Sequence, residues 1–503
     1  MTNNSGLPFA LTNASLAEWL GLLDKLPLSR AANQLNQVLK QLKNLDCNAT
    51  ELLPLLIDLT PLTLRLASNL NTVILAETNA SDKSAKAIKL CLQLPRQLSL
   101  IFCQSIEGGS VSEADLPDAI FHALQLIGYC NDLYALHYEM QSATLWKKSA
   151  LLYQLTIANA CLTTPIASRI DEFKTQATIE AVFKRNLLFS VINPTVYSPE
   201  EIKLFFPLTN QLAPKLELCS GTHADNFGFY WDLNSDSVPC PAKHVNRPLP
   251  DGFLGINAQA IGHALHIGEI GTDLPRNSQN KLALHLTGYG QIFSSIIPGL
   301  PSRSDLILGF SKICAYLQEQ NKLVKIRQLS AQISGTQLPK RNMSLVPLEH
   351  ERNVFETTER PFSNPQAYGR TVNILKTPHP SFTVAEGRTF DCSTGDVALV
   401  YKEQHPDMLV IIRQQSEHDL TGSTHILLEK IPGPCGIYSF STASDPQQVI
   451  VVGEDGAAPE AILPSGKYSI GTALALSIGK TLRLKACLEA NAFFARFRVS
   501  FDS

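Results

Sequence analysis

The hydrophobic pattern of this chain changes its period near residue 298, and this change constrains the fold more than any other sequence feature. Before it, apolar residues recur every three or four positions over long stretches, which is typical of amphipathic helices. After it, short β-branched and aromatic runs alternate with Gly, Pro, Asp and Asn. We therefore expect an α+β chain in two parts: a helical array or bundle over residues 1–297, then an antiparallel β-barrel over residues 298–503.

The helical part opens with a capping signal. Ser15-Leu-Ala-Glu18 places a hydroxyl and a carboxylate three positions apart, directly before Trp19 and Leu22, which predicts a capping box. Because no repeat of fixed length follows, we predict an irregular array or bundle of antiparallel helices. The further amphipathic stretches lie at about 83–106, 115–138, 143–161, 168–192 and 199–216, and an extended run lies at 227–233.

The last third has the composition of strands. A run at Ser304–Phe310 precedes a helical stretch at Lys312–Leu329, and the linking segment over about 312–360 reads as an insertion into the barrel. No G-x-G-x-x-G or Walker A sequence accompanies these strands, so nothing supports hydride transfer or nucleotide cleavage. The later strand runs are Arg370–Leu375, Asp396–Tyr401, Met408–Gln414, Thr424–Glu429, Gly436–Phe440, Gln448–Val452, Thr472–Ile478, Thr481–Leu488 and Phe493–Phe501.

Composition narrows the functional class. The formal net charge is −3, which argues against nucleic acid as a partner. No apolar run is long enough to insert into a membrane, and no signal peptide is visible before Lys25. The 11 cysteines form no C-x-x-C pair, so we expect buried thiols and a cytoplasmic location.

Catalytic and metal sites have weak candidates. His263 and His266 lie three apart on one predicted helix, but no nearby third ligand completes a metal set. Cys219, His223 and Asp225 share one loop, which keeps open an enzyme with its site in residues 219–250. We expect no enzyme, no metal and no cofactor.

The segment from Gln320 to Leu348 carries a basic strip and no acidic residue. Such a strip is either a solvated surface or a place for a phosphate group. Its members are Lys322, Lys325, Arg327, Lys340 and Arg341.

The C-terminal third resembles the PilZ-type domains of bacterial proteins that have a helical N-terminal region. The resemblance rests on Arg303-Ser-Asp-Leu-Ile-Leu-Gly-Phe, which opens a strand, and on Asn364-Pro-Gln-Ala-Tyr-Gly369, which has the spacing of the D/N-x-S-x-x-G element. It also rests on the order of the later strands at 395–400, 409–413 and 426–429. In the helical part, Leu145-Trp146 followed by Leu152-Tyr153 is similar to the same group.

The resemblance implies a divergent PilZ-like barrel that binds cyclic di-GMP and a helical region that passes the bound state to an unidentified protein partner. By analogy, that partner belongs to motility, pilus or biofilm machinery. An arginine fork suits both guanine and phosphate. The implied ligand-binding residues, including two from the basic strip, are Arg303, Asn364, Gln366, Gly369, Arg370, Arg413, Lys340 and Arg341.

The chain departs from the PilZ pattern at two points. The family's R-x-x-x-R pair is reduced to Arg303, since Gly299 holds the other position, and Gln366 replaces the serine. A rival element, Asp391-Cys-Ser393-Thr-Gly395, keeps Asp and Ser but has Gly one position early. A second hypothesis therefore stays open: a non-catalytic adaptor or scaffold whose degenerate barrel binds proteins and no nucleotide.

Overall fold

The computed structural model divides the chain into two compact units, one made mainly of residues 1–291 and the other mainly of residues 292–503. The sequence predicts a domain boundary between residues 297 and 298, and this boundary stays a prediction. The structure describes residues 6–45, 49–76, 82–109, 111–139, 142–166, 177–219, 228–242, 252–288, 292, 296–297, 301–335, 368–388, 390–402, 405–418, 423–441, 446–454, 456, 458–466, 468 and 470–502.

The first unit is built from helices, as the apolar periodicity predicted. Their apolar faces meet in one continuous hydrophobic core. The described helices are α1 (Asn13–Leu23), α2 (Leu28–Lys43), α3 (Ala49–Ala76), α4 (Asp82–Glu107), α5 (Leu116–Leu136), α6 (Ala143–Ala158), α7 (Ile179–Ile192), α8 (Pro199–Leu212), α9 (Gln259–Ile267) and α10 (Arg276–Leu286).

The capping box predicted at Ser15 is wrong. Helix α1 begins at Asn13, and Thr12 is its N-cap, with its side chain accepting a hydrogen bond from the Ser15 amide. A capping box occurs instead at the start of α8, where the Ser198 amide donates to Glu201 Oε2 at 2.8 Å. Several Ser and Thr residues compete for each helix start, and only the local backbone decides between them.

Helix α5 is buried around most of its circumference, which is the burial expected of a central helix. It packs against α4 and α7, and the close approach to α7 depends on Gly128. A Cβ atom there would lie 2.1 Å from Asn186 Oδ1. Beside this contact the fully buried guanidinium of Arg185 lies 4.5 Å from the centroid of the Phe206 ring.

Two small antiparallel sheets accompany the helices. The extended run predicted at 227–233 is confirmed as β4, and its buried Trp231 packs edge-on against Trp146 at 5.3 Å between ring centroids. The described strands are β1 (Pro165–Ile166), β2 (Ala177–Thr178), β3 (Glu217–Cys219), β4 (Phe229–Asp232), β5 (Cys240–Pro241) and β6 (Phe253–Asn257); the first two pair with each other, and the others lie in the order β3-β6-β4-β5.

The second unit contains a closed six-stranded antiparallel barrel, hereafter the barrel. Its interior is filled by apolar residues that alternate along the strands, such as Leu306, Val372 and Ala385. Helix α11 (Phe310–Gly335) follows the first of its strands. The strands are β7 (Ser302–Leu308), β8 (Arg370–Lys376), β9 (Phe382–Gly387), β10 (Val397–Tyr401), β11 (Met408–His418) and β12 (Ser423–Lys430), in the closed order β7-β8-β9-β12-β11-β10.

The remaining strands form a separate antiparallel sheet, hereafter the C-terminal sheet. It rolls up until its two edge strands are joined by a bridge between Phe440 and Leu476 and by a 2.8 Å hydrogen bond from the Ser477 amide to the Ser439 carbonyl. Its strands are β13 (Cys435–Ser441), β14 (Pro446–Val452), β15 (Glu460–Pro464), β16 (Ala473–Ala475), β17 (Thr481–Ala490) and β18 (Phe494–Asp502), in the order β13-β14-β15-β18-β17-β16.

The α+β, two-part fold predicted from the sequence is confirmed. The strand-rich part holds two rolled sheets, whereas the sequence led us to expect one barrel. The diameter of a barrel grows with its strand number. Two six-stranded sheets can each be filled by side chains, whereas one barrel built from all the strands would enclose an empty lumen.

Candidate functional site

Three arginines meet in a cleft of about 540 Å³ on the barrel, hereafter the arginine cleft. Arg303 comes from β7, Arg370 from the start of β8, and Arg388 directly follows the end of β9. Strand pairing explains the convergence, because β7, β8 and β9 are neighbours in the barrel. The other lining residues used below are Asn373, Glu386 and Phe390.

The strand register sets a polar row across the outer face of the barrel. Arg303 pairs with Asn373, Asn373 pairs with Glu386, and Glu386 pairs with His425. Directly paired residues on adjacent strands place their side chains on the same face. One row therefore carries a guanidinium, an amide, a carboxylate and an imidazole.

Glu386 is held by three donors. Asn373 Nδ2 donates to Glu386 Oε2 at 3.2 Å, Ser423 Oγ donates to Oε1 at 3.3 Å, and His425 Nε2 lies 3.4 Å from Oε1. The hydrogen bond from Asn373 is the main reason that the pKa of Glu386 lies below its ordinary value, and it outweighs the effect of burial. The carboxylate is therefore ionised at neutral pH, and the three guanidinium groups still leave the cleft lining with an excess of positive charge.

The apolar wall of the cleft comes from Phe390. Its ring lies over the backbone of Gly387, where an added Cβ atom would sit 2.6 Å from the ring Cζ. The same ring borders the apolar interior of the barrel. Phe390 is thus fixed in place and offers a planar apolar surface beside the arginines.

Two of the sequence-predicted site residues lie in the cleft, and two others are placed differently. Arg303 and Arg370 both line it. Gly369 precedes Arg370 and lies against β7, since a Cβ atom there would be 2.8 Å from the Leu306 carbonyl oxygen; its glycine is explained by this backbone approach. Arg413 lies on β11 and is buried in an ion pair with Glu429.

The remaining predicted site residues, Asn364, Gln366, Lys340 and Arg341, lie outside the described residues. Lys322 is exposed on α11, and the side chains of Lys325 and Arg327 are not among those described. Of the five basic side chains in the strip, the structure therefore describes that of Lys322, on the surface of α11.

Sequence reasoning missed Arg388, Glu386 and Asn373. The signal for Arg388 was present, because it stands three positions before the rival element Asp391-Cys-Ser393-Thr-Gly395. That element joins β9 to β10, so it follows the cleft-lining residues directly. Asn373 and Glu386 could not have been selected, because their pairing depends on the strand register.

Among the described residues, none of the weaker chemical candidates belongs to the cleft lining. Within the described part of the chain, no group of three or more His, Cys, Asp or Glu side chains is arranged to hold a metal ion. Cys219 is half-buried at the end of β3, whereas His223 and Asp225 lie outside the described residues. Burial raises the pKa of Cys91 and Cys314 to about 12, so these two thiols stay protonated.

A comparison with protein families points to the same class of protein as the sequence resemblance. Residues 14–223 match the family described as "Cyclic-di-GMP receptor FimW, N-terminal domain". This part of the helical first unit is similar to the N-terminal domain of a cyclic di-GMP receptor. This match confirms the resemblance to a cyclic di-GMP effector with a helical N-terminal region.

The match spans 210 residues, from 14 to 223, which is less than half of the 503-residue chain, and the barrel lies outside it. No curated protein and no solved structure matches the chain. Among the helices of the described residues, none is both long and apolar enough to cross a membrane.

Proposed function

We propose that this protein is a cyclic di-GMP effector and that the arginine cleft of the barrel binds the nucleotide. The observation that carries the proposal is the convergence of Arg303, Arg370 and Arg388 on one cleft, in a chain whose first unit matches a cyclic di-GMP receptor domain. The match supports the ligand class, and the cleft is the anion-binding concavity that such a ligand requires.

The chemistry of the ligand fits the lining of the cleft. Cyclic di-GMP carries two phosphates and two guanines, and an arginine can pair with phosphate or reach guanine O6 and N7 through two hydrogen bonds. Each two-bond contact with guanine is worth about 1–3 kcal/mol of discrimination against other bases. The Phe390 ring offers a surface on which a base can stack, which adds about 1–3 kcal/mol.

The missing R-x-x-x-R pair has a structural substitute. Arg303 and Arg370 are 67 positions apart in the sequence, but they lie on the adjacent strands β7 and β8. Two neighbouring strands thus carry the charges that PilZ-type domains place in one segment. Bound nucleotide is then read by a protein partner.

Isothermal titration of the full chain with cyclic di-GMP tests the proposal. We expect Arg303→Ala and Arg370→Ala each to weaken binding by roughly 10-fold or more, since each removes a charge-assisted contact. Arg498→Ala is the matched control: Arg498 is exposed on β18 and does not line the cleft, so its loss should leave the affinity unchanged.

Two outcomes count against the proposal. Absence of heat with wild-type protein at tens of micromolar ligand would favour the adaptor hypothesis, in which the barrel binds proteins only. An affinity that both cleft variants leave intact would move the site elsewhere. A circular dichroism melt of each variant shows whether a lost signal reflects misfolding.

A further inference from the structure

The barrel and the C-terminal sheet have the same strand topology. In the barrel, the six strands taken in chain order lie in the sequence first-second-third-sixth-fifth-fourth, and the fourth pairs back to the first. In the C-terminal sheet the order is identical, and the Phe440–Leu476 bridge joins the fourth strand to the first. All these pairings for which the register is described are antiparallel in both sheets. In both sheets the third strand lies next to the sixth and not next to the fourth. Coincidence explains this shared order poorly.

The connection between the third and fourth strands repeats as well. The barrel has Ser393-Thr-Gly395 two positions before β10, and the C-terminal sheet has Ser469-Ile-Gly471 two positions before β16. The two glycines have almost the same backbone angle, φ +89° at Gly395 and φ +88° at Gly471. A φ in this range is one that side chains other than glycine rarely adopt.

These glycines align the two sheets residue by residue. Glu386 lies nine positions before Gly395, and Ile462 lies nine positions before Gly471. In the C-terminal sheet, Ile462 pairs with Ile450, and Ile450 pairs with Ile437. The positions equivalent to Arg303, Asn373 and Glu386 are thus Ile437, Ile450 and Ile462.

The equivalent face of the C-terminal sheet is buried. Ile437, Ile450 and Ile462 belong to one apolar cluster together with Ile313 and Leu317 of α11 and with residues on the outer face of the barrel, such as Leu399. Ile450 and Ile462 have no exposed surface. A ligand the size of a dinucleotide has no access to this face.

We infer that residues 302–502 hold two copies of one six-stranded barrel and that the chain binds its ligand on the first copy alone. The second copy carries isoleucines in place of Arg303, Asn373 and Glu386, and it uses this isoleucine face to pack against α11 and the barrel. The fourth position of the row, equivalent to His425, is Arg496, which forms an ion pair with Glu460. The duplication stands on topology and geometry, whereas the location of the ligand rests on the proposed function.

A matched pair of substitutions at the equivalent positions tests the structural half of this inference. Ile462→Glu places an unpaired carboxylate in the apolar cluster, so the thermal midpoint of the full chain should fall by roughly 10 °C. Glu386→Ile occupies the corresponding position in the open cleft and should shift the midpoint by less than about 3 °C. Ile462→Val keeps the site apolar and should stay within about 4 °C of wild type.

If glutamate at position 462 is tolerated as well as isoleucine at position 386, the two faces are equally exposed and the inference is overturned.

Titration of the double variant Arg303→Ala/Arg370→Ala with cyclic di-GMP tests the ligand half. We expect binding to be at least about 100-fold weaker, with no binding site of wild-type affinity left in the chain. A binding site that keeps wild-type affinity in this variant would place a ligand on the C-terminal sheet and overturn the inference. If the wild-type chain binds no cyclic di-GMP, the proposed function and the ligand half both fail, and the melting comparison still decides the structural half.

Discussion

At the scale of single residues, one carboxylate offsets part of the positive charge of the arginine cleft. Glu386 lines the same cleft as three arginines, and its oxygens accept hydrogen bonds from Asn373 and Ser423. Its ionised state is stabilised by those donors, as the direction of its pKa shift indicates.

We expect one half-buried histidine, His137, to make the stability of the helical unit depend on pH. Burial lowers the pKa of His137 from 6.5 to about 4. Because the folded-state pKa lies below the unfolded value, the unfolded chain binds a proton first, and the stabilisation is present above pH 6.5 and lost as the pH falls toward 4. We expect a loss on the order of 2 kcal/mol over this window.

The variant His137→Gln removes the titrating group and should flatten the pH dependence of the unfolding free energy between pH 6.5 and 4. Chemical denaturation of both proteins at half-unit steps of pH measures this difference. Parallel curves for the two proteins would show that His137 does not titrate as its burial implies.

At the scale of elements, the ion pair between β11 and β12 has a structural role. Arg413 and Glu429 are both largely buried, with side-chain exposures of 6% and 17%. Removing one partner of a buried pair leaves the other charge uncompensated, so Glu429→Ala should cost about 3–5 kcal/mol of unfolding free energy. Replacing both, as Arg413→Met with Glu429→Leu, should cost far less, because no charge remains to be buried.

Urea denaturation measures these costs, and titration with cyclic di-GMP gives a second readout. The double variant should bind the nucleotide as wild type does, since Arg413 is not part of the cleft lining. A loss of binding in a double variant that melts like wild type would return Arg413 to the ligand site.

The elements also show where sequence reasoning succeeds. The helices and most strands were predictable, because the apolar period of a helix or strand is written in neighbouring residues. Arg303 and Arg370 were selected from the sequence, and both line the cleft. Arg388, Asn373 and Glu386 were not, because their contribution depends on which strands pair and in which register.

At the scale of the whole molecule, the C-terminal sheet serves as an internal control for ligand binding on the barrel, because the two sheets share one topology. Hydrogen exchange of the full chain with and without cyclic di-GMP should show added protection in peptides that cover β7, β8 and β9. Peptides from β13, β14 and β15 should not change, since the equivalent face is already buried. Added protection confined to β13–β15 would contradict the placement of the ligand on the barrel.

The sequence by itself determined the two-part α+β division, the helical character of the first unit and the likeness to a cyclic di-GMP effector, because these depend on local periodicity and short motifs. The tertiary structure decided that the strands form two rolled sheets of one topology, that three arginines from separate segments share a cleft, and that the matching face of the second sheet is closed by isoleucines. Such features arise from pairing between distant strands, and the free energy that selects a register comes from burying one face of a sheet, which no local stretch of sequence specifies.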